Sequence, residues 1–154
     1  MTAADLPAAC AISDAVHGGY TERPEVYEER LRLFPAGCRV LESDGAVVGY
    51  LVSHPWRSGG SPELDRTVGA LPADADVFYL HDLALLPSVR GTGAGAAGLA
   101  EALRIAAGHG FGAVELTAVS GADAWWAAQG FVDAGPAQGG GYGPEARRMR
   151  RAVG

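Results

Sequence analysis

The segment from Val77 to Gly108 constrains this chain more than any other. It reads VFYLHDLALL, then Pro87-Ser88-Val89, then Arg90-Gly91-Thr92-Gly93-Ala94-Gly95, and then an alanine-rich run. The first stretch is mostly apolar and predicts a strand buried in the middle of a sheet, which Pro87 closes. In the run after the glycines, Leu99, Leu103 and Ala106, together with Ala102, recur at helical spacing, so a helix is predicted over 95–107. Gly112 to Val119 is another apolar strand. Strand, helix and strand in this order predict a right-handed parallel crossover.

The turn between the first strand and the helix has the chemistry of an anion site. The first N–H groups of a helix lack intrahelical partners, and the helix dipole adds partial positive charge there. Glycine lets a ligand oxygen approach the backbone closely and permits positive φ. Arg90 adds a permanent cation with bidentate geometry. All 12 basic residues are arginine, so a P-loop and every lysine-dependent mechanism are excluded. Gly93-Ala94-Gly95-Ala96-Ala97-Gly98 spells GxGxxG, which raises a nucleotide-binding module as one reading. Its context argues against that: Pro87 to Arg90 separate strand from glycines, and too little chain follows for a doubly wound sheet.

Elsewhere, residues 5–17 predict a helix with Asp5 as N-cap and Pro7 in the first turn, ended by Gly18-Gly19. Pro24 opens a second helix through Phe34. Strands at 38–43 and 46–54 flank Asp44-Gly45, a hairpin signal. A polar stretch from Pro55 to Asp76 is longer than ordinary loops, and is expected to be either an acceptor-pocket wall or a disordered insert. A short helix at 122–129 carries Trp125 and Trp126, with Trp125 expected as a core anchor. Closing strands are predicted at 131–134 and 146–153.

The run Leu83-Ala84-Leu85-Leu86-Pro87-Ser88-Val89-Arg90-Gly91-Thr92-Gly93-Ala94-Gly95 resembles the signature of the GNAT superfamily of acyl-CoA-dependent N-acetyltransferases. Trp125-Trp126-Ala127-Ala128-Gln129-Gly130-Phe131 is similar to a second segment common in that family. The resemblance implies a single α+β domain over 1–154, with a central mixed β-sheet flanked by about four helices. A parallel strand pair would splay apart to form the acyl-CoA cleft. The family usually opens with a short strand, which Met1 to Ala4 leave truncated or absent. Acetyl-CoA is the implied co-substrate, with its pyrophosphate on Arg90, Gly91, Thr92, Gly93, Ala94 and Gly95, and its pantetheine along the backbone near Leu85. An amine would attack the thioester directly. A non-catalytic acyl-CoA-binding protein of the same fold is the alternative.

Amine attack needs a proton acceptor. The central strand offers Tyr79, His81 and Asp82, with His81 the first choice because an imidazole titrates near neutrality; a hydrogen-bonded core histidine is the competing role. Strand alternation puts Tyr79 and His81 on one face and Asp82 on the other, unless a bulge intervenes. The family often supplies a tyrosine to protonate the departing thiolate. Trp126 stands at that position, leaving Ser120, water or no acid as alternatives.

The acceptor is expected to be a small-molecule or peptide amine flanked by residues 17–25 and the 139–143 glycine loop. Tyr142 is a candidate contact there, while Glu22 and Glu25 are expected to be solvated. A net charge of −6 argues against nucleic acid or an anionic membrane as partner. No apolar run is long enough to span a bilayer, and no leader pattern opens the sequence, so a cytoplasmic setting is expected. No metal site is indicated, a Cys10–Cys38 disulfide has no support, and a homodimer stays open.

Overall fold

The Asp44-Gly45 turn adopts positive φ at both residues, +51° and +78°, the twist that joins antiparallel strands tightly. Across it, β1 (Cys38–Ser43) and β2 (Ala46–Trp56) pair antiparallel. β2 runs past His54 through Pro55, where it has outrun β1 and only β3 lies beside it. This computed structural model describes residues 1–137 and 139–154.

β3 (Val77–Leu85) pairs antiparallel with β2 and parallel with β4 (Ala113–Ala118), the crossover being α3 (Ala94–Gly108). β5 (Val132–Pro136) and β6 (Arg147–Ala152) complete a six-stranded mixed sheet of order β1-β2-β3-β4-β6-β5. Helices α1 (Leu6–Val16) and α2 (Pro24–Leu33) cover one face, α3 covers the other, and α4 (Asp123–Ala128) packs near β5 and β6. Strand alternation divides the core accordingly. Tyr50, Val52 and Ala84 pack toward α1 and α2, whereas Leu51, Phe78, Leu80 and Leu116 pack toward α3. Each fully buried leucine or phenylalanine contributes about 1.5–3 kcal/mol. Gly98 permits the close seating of α3, since a Cβ there would stand 2.8 Å from Leu83 Cδ1.

No strand precedes α1 among the described residues; the chain enters through a 3₁₀ turn at Ala3–Asp5. The Asp5 carboxylate does not cap α1. It accepts from the N–H and hydroxyl of Thr2, at 2.6 and 3.0 Å, and so closes that earlier turn. Cys10 and Cys38 are free thiols.

One irregularity in β3 matters for the site. Val52 pairs with Asp82 and Ser53 with Leu80, so His81 is an extra residue without a partner on β2. The bulge shifts the alternation by one. Tyr79, His81 and Asp82 therefore all turn toward the α1–α2 side rather than dividing between faces.

Candidate active site

β3 and β4 share only two pairs, Phe78 with Val114 and Tyr79 with Glu115, and then separate. Leu86 donates its N–H to Val48 on the β2 side (2.9 Å), so alternation directs the backbone groups of Leu83 and Leu85 to the open edge. Two adjoining cavities occupy the gap, of about 630 and 420 Å³. Val16, His17, Leu83, Arg90, Ala122 and Trp126 line both, which marks where they join.

The larger cavity ends at the start of α3. Gly91 and Gly93 have φ of +73° and +90°, and Gly93 is the N-cap. No side chain caps the helix and no acidic residue stands in its first turn. Because Ala97 makes the first intrahelical bond, to the Gly93 carbonyl, the N–H groups of Ala94, Gly95 and Ala96 are left for a ligand. Arg90 is exposed at the mouth, its Nε donating to the Leu85 carbonyl at 3.2 Å. Leu85, Gly91 and Gly95 line this cavity; Thr92 and Ala94 do not. The Thr92 hydroxyl instead donates to Val89 O at 2.6 Å, and so braces the turn. Trp125 corrects the core-anchor expectation. It is 40% exposed and lines the cavity beside Gly95, where a Cβ would stand 3.1 Å from the indole.

The smaller cavity holds two histidine–carboxylate pairs. His17 Nε2 lies 2.8 Å from Asp82 Oδ1. Burial disfavours the His17 cation, but the hydrogen bond and charge of Asp82 outweigh it, and its pKa is raised. Burial likewise pushes Asp82 upward, yet its bonds to His17 and Tyr50 leave its pKa lowered. Tyr50 donates to Asp82 Oδ2 at 2.5 Å, and Tyr27 does so at 3.3 Å. In the second pair, His81 Nε2 lies 2.7 Å from Glu22 Oε2, both side chains being almost wholly buried. Glu22 thus corrects the expectation of a solvated glutamate, while Glu25 is exposed as expected. Behind His81 lies His54, fully buried; burial first, and then the neighbouring His81, lower its pKa to about 3.

Ser120 and Trp126 line the smaller cavity with His81 and Asp82. Ser120 sits at φ +53°, an unusual conformation for a residue other than glycine, where the chain leaves β4. Tyr79 does not line the cavity. It is buried, and its hydroxyl lies 2.8 Å from Thr117 Oγ1, with the Ser61 hydroxyl joining the same group. His17 was outside the catalytic expectations, since nothing local marks a histidine that ends a helix before Gly18-Gly19.

The stretch from 57 to 76 is an ordered wall. Asp65 N–H donates to Glu22 Oε1 (3.0 Å), and Val68 and Gly69 donate to the Glu29 carboxylate (2.7 and 2.9 Å). Leu64 faces the cavity and donates its N–H to Gly140 O at 2.7 Å, joining the wall to the glycine loop. Tyr142 also lines the cavity, its hydroxyl donating to Pro62 O. Among the described residues no cluster of three metal-ligating side chains occurs, and no helix is long and apolar enough to cross a membrane.

A family model described as the acetyltransferase (GNAT) family matches residues 7–131. No curated protein matches significantly. Solved structures do. One is the GphF GNAT-like decarboxylase in complex with isobutyryl-CoA, at 19% identity and TM-score 0.84, covering 100% of this chain and 97% of that one. A second is the loading GNATL domain of CurA from Lyngbya majuscula, at 13% identity and TM-score 0.83, covering 97% and 94%. A third is a ribosomal-protein-alanine N-acetyltransferase from Brucella melitensis, at 25% identity and TM-score 0.71, covering 99% and 97%.

Proposed function

The chain belongs to the GNAT acetyltransferase family, and from that premise we propose that it moves an acetyl group from acetyl-CoA to an amine by direct attack on the thioester. The observation that carries this reading is the join of the two cavities. An uncapped helix start with Arg90 stands at one end of the cleft, and the His17–Asp82 pair stands where the cleft meets the acceptor side.

Arg90 and the backbone amides of Gly91 to Gly95 hold the pyrophosphate, Thr92 and Ala94 contributing only main chain. Charge-assisted hydrogen bonds of roughly 1.5–3 kcal/mol each make such a cradle effective. Leu85 N–H faces the pantetheine, and Leu83 N–H faces the thioester oxygen, where it favours the charge that develops during attack. His17, rather than His81, is the base, because His17 lines both cavities while His81 lines only one. Asp82 holds Nε2–H of His17, which leaves Nδ1 to take the ammonium proton. The amine nitrogen then forms the new C–N bond as the C–S bond breaks. Trp126 can hydrogen-bond the departing sulfur but has no proton to give it at neutral pH, and Ser120 is a hydroxyl on the same wall. Tyr79 acts through the hydroxyls of Ser61 and Thr117, as a positioning residue.

Trp126 favours a second chemistry at the same site. Decarboxylation of a carboxyacyl-CoA breaks a C–C bond, releases carbon dioxide and retains the thioester, so no acid is needed for sulfur. His17 would deliver the proton to the carbon left behind. One structural neighbour is described as a GNAT-like decarboxylase. Thiol release separates the two, since only acyl transfer frees CoA.

The first test is ligand-dependent stability. Acetyl-CoA or CoA at 100 times its Kd adds about 2.7 kcal/mol, and NAD at the same concentration adds nothing. Equal stabilisation by NAD, or none by acetyl-CoA at millimolar concentration, would refute the reading.

A further inference from the structure

Resting on the acyl-transfer reading, we propose that the acceptor is a compact primary amine with an aromatic or branched apolar body and no carboxylate, and that polypeptide N-termini are excluded.

Size comes first. The acceptor cavity is about 420 Å³, toward the small end of ligand pockets, and it is roofed. The roof is two loops fastened to each other and to the floor. Leu64 N–H to Gly140 O, Tyr142 hydroxyl to Pro62 O and Tyr20 hydroxyl to Tyr142 O (3.3 Å) fasten its upper part. Asp65 N–H to the buried Glu22 carboxylate fastens its base. A polypeptide continuing from the reacting amine would have to break this set.

Charge selects next. Glu22 and Asp82 bring two carboxylates to the cavity wall. Arg90 is its one arginine among the described residues, and the cofactor cleft shares it. An ammonium approaching His17 is favoured by this field. The carboxylate of an amino acid would meet the two acids, and the one arginine there, Arg90, is engaged by the pyrophosphate in the acyl-transfer reading. The walls then select the body of the molecule. Leu64, Leu116 and Val119 offer apolar contact, and Tyr20 and Tyr142 supply aromatic rings suited to an aryl group or to a cation in transit.

The test is steady-state thiol release from acetyl-CoA with four acceptors: phenylethylamine, isobutylamine, alanine and a hexapeptide with a free N-terminus. The expected kcat/KM for the better of the two amines exceeds those for alanine and the peptide by at least about tenfold, which is about 1.4 kcal/mol. Leu64→Ala, which opens the roof, is expected to narrow the gap between the amines and the peptide. Equal or faster release with alanine or the peptide would overturn the inference and leave acyl transfer standing. No release with any of the four, with acetyl-CoA binding intact, would end both.

Discussion

His17 and Asp82 lie 65 positions apart in sequence, yet His17 Nε2 stands 2.8 Å from Asp82 Oδ1 where the two cavities join. The bulge at His81 makes this contact, since regular alternation would have sent Asp82 to the α3 face. His17→Ala is expected to lower kcat by about 10²–10⁴, with little change in CoA affinity. Steady-state kinetics beside a CoA titration checks this, and an unchanged kcat would remove His17 as the base.

The same pair fixes a pH dependence. His17 must be neutral to accept a proton, and its pKa is raised above the ordinary 6.5, chiefly by Asp82 working against burial. The rate is therefore expected to rise with pH through an inflection above that value, and Asp82→Asn is expected to move the inflection down. For stability the signs differ. The raised His17 value contributes fully below its ordinary pKa and is lost as pH rises through the folded value. The lowered Asp82 value contributes above 3.8 and is lost as pH falls. Urea midpoints should thus show the pair's contribution to be largest between those two ordinary values.

Arg90→Ala removes the cation at the mouth of the cleft without touching the core, since the Arg90 side chain is exposed and, among the described residues, bonded only to the Leu85 carbonyl. At roughly 1.5–3 kcal/mol per charge-assisted bond, CoA affinity is expected to fall about 10- to 150-fold. Calorimetric titration measures it, and the unliganded melting temperature should stay within about a degree or two of the parent.

Gly93→Ala tests the turn itself. Nothing lies within 4 Å of a Cβ placed there, so the penalty is conformational, from φ of +90°. A loss of about 1–2 kcal/mol is expected, with weaker CoA binding because the free amides of α3 shift. Denaturant unfolding and CoA titration together read both effects.

Glu29 binds the wall to α2. It pairs with Arg30, whose side chain is fully buried, and accepts the N–H groups of Val68 and Gly69. Glu29→Ala leaves a buried guanidinium without its carboxylate, an expected loss of about 3–5 kcal/mol. Limited proteolysis is expected to cut first within 57–76.

The strand–turn–helix unit was legible in the sequence because its signals are local: apolar run, proline, arginine, glycines, then helical spacing. The hairpin at Asp44-Gly45 was legible for the same reason, both residues taking the positive φ that such a turn demands. The acid–base groups were only partly legible. His81 and Asp82 were marked by their place before the glycine-rich turn, but nothing local marks His17, which only the fold brings to Asp82. Glu22 reads as a surface acid on any local scale, and only the fold buries it against His81 and Asp65. The wall at 57–76 carries almost no regular secondary structure, so its order arises from bonds to distant residues that no periodicity announces.

Acetyl transfer with His17 as base is read most directly in a single incubation of the protein with acetyl-CoA and phenylethylamine, following free thiol and amine mass together. One thiol is expected per acetyl group gained by the amine, with both signals falling together by about 10²–10⁴ in His17→Ala. Thiol release without acetylated amine, or acetylation at an unchanged rate in that variant, would contradict it.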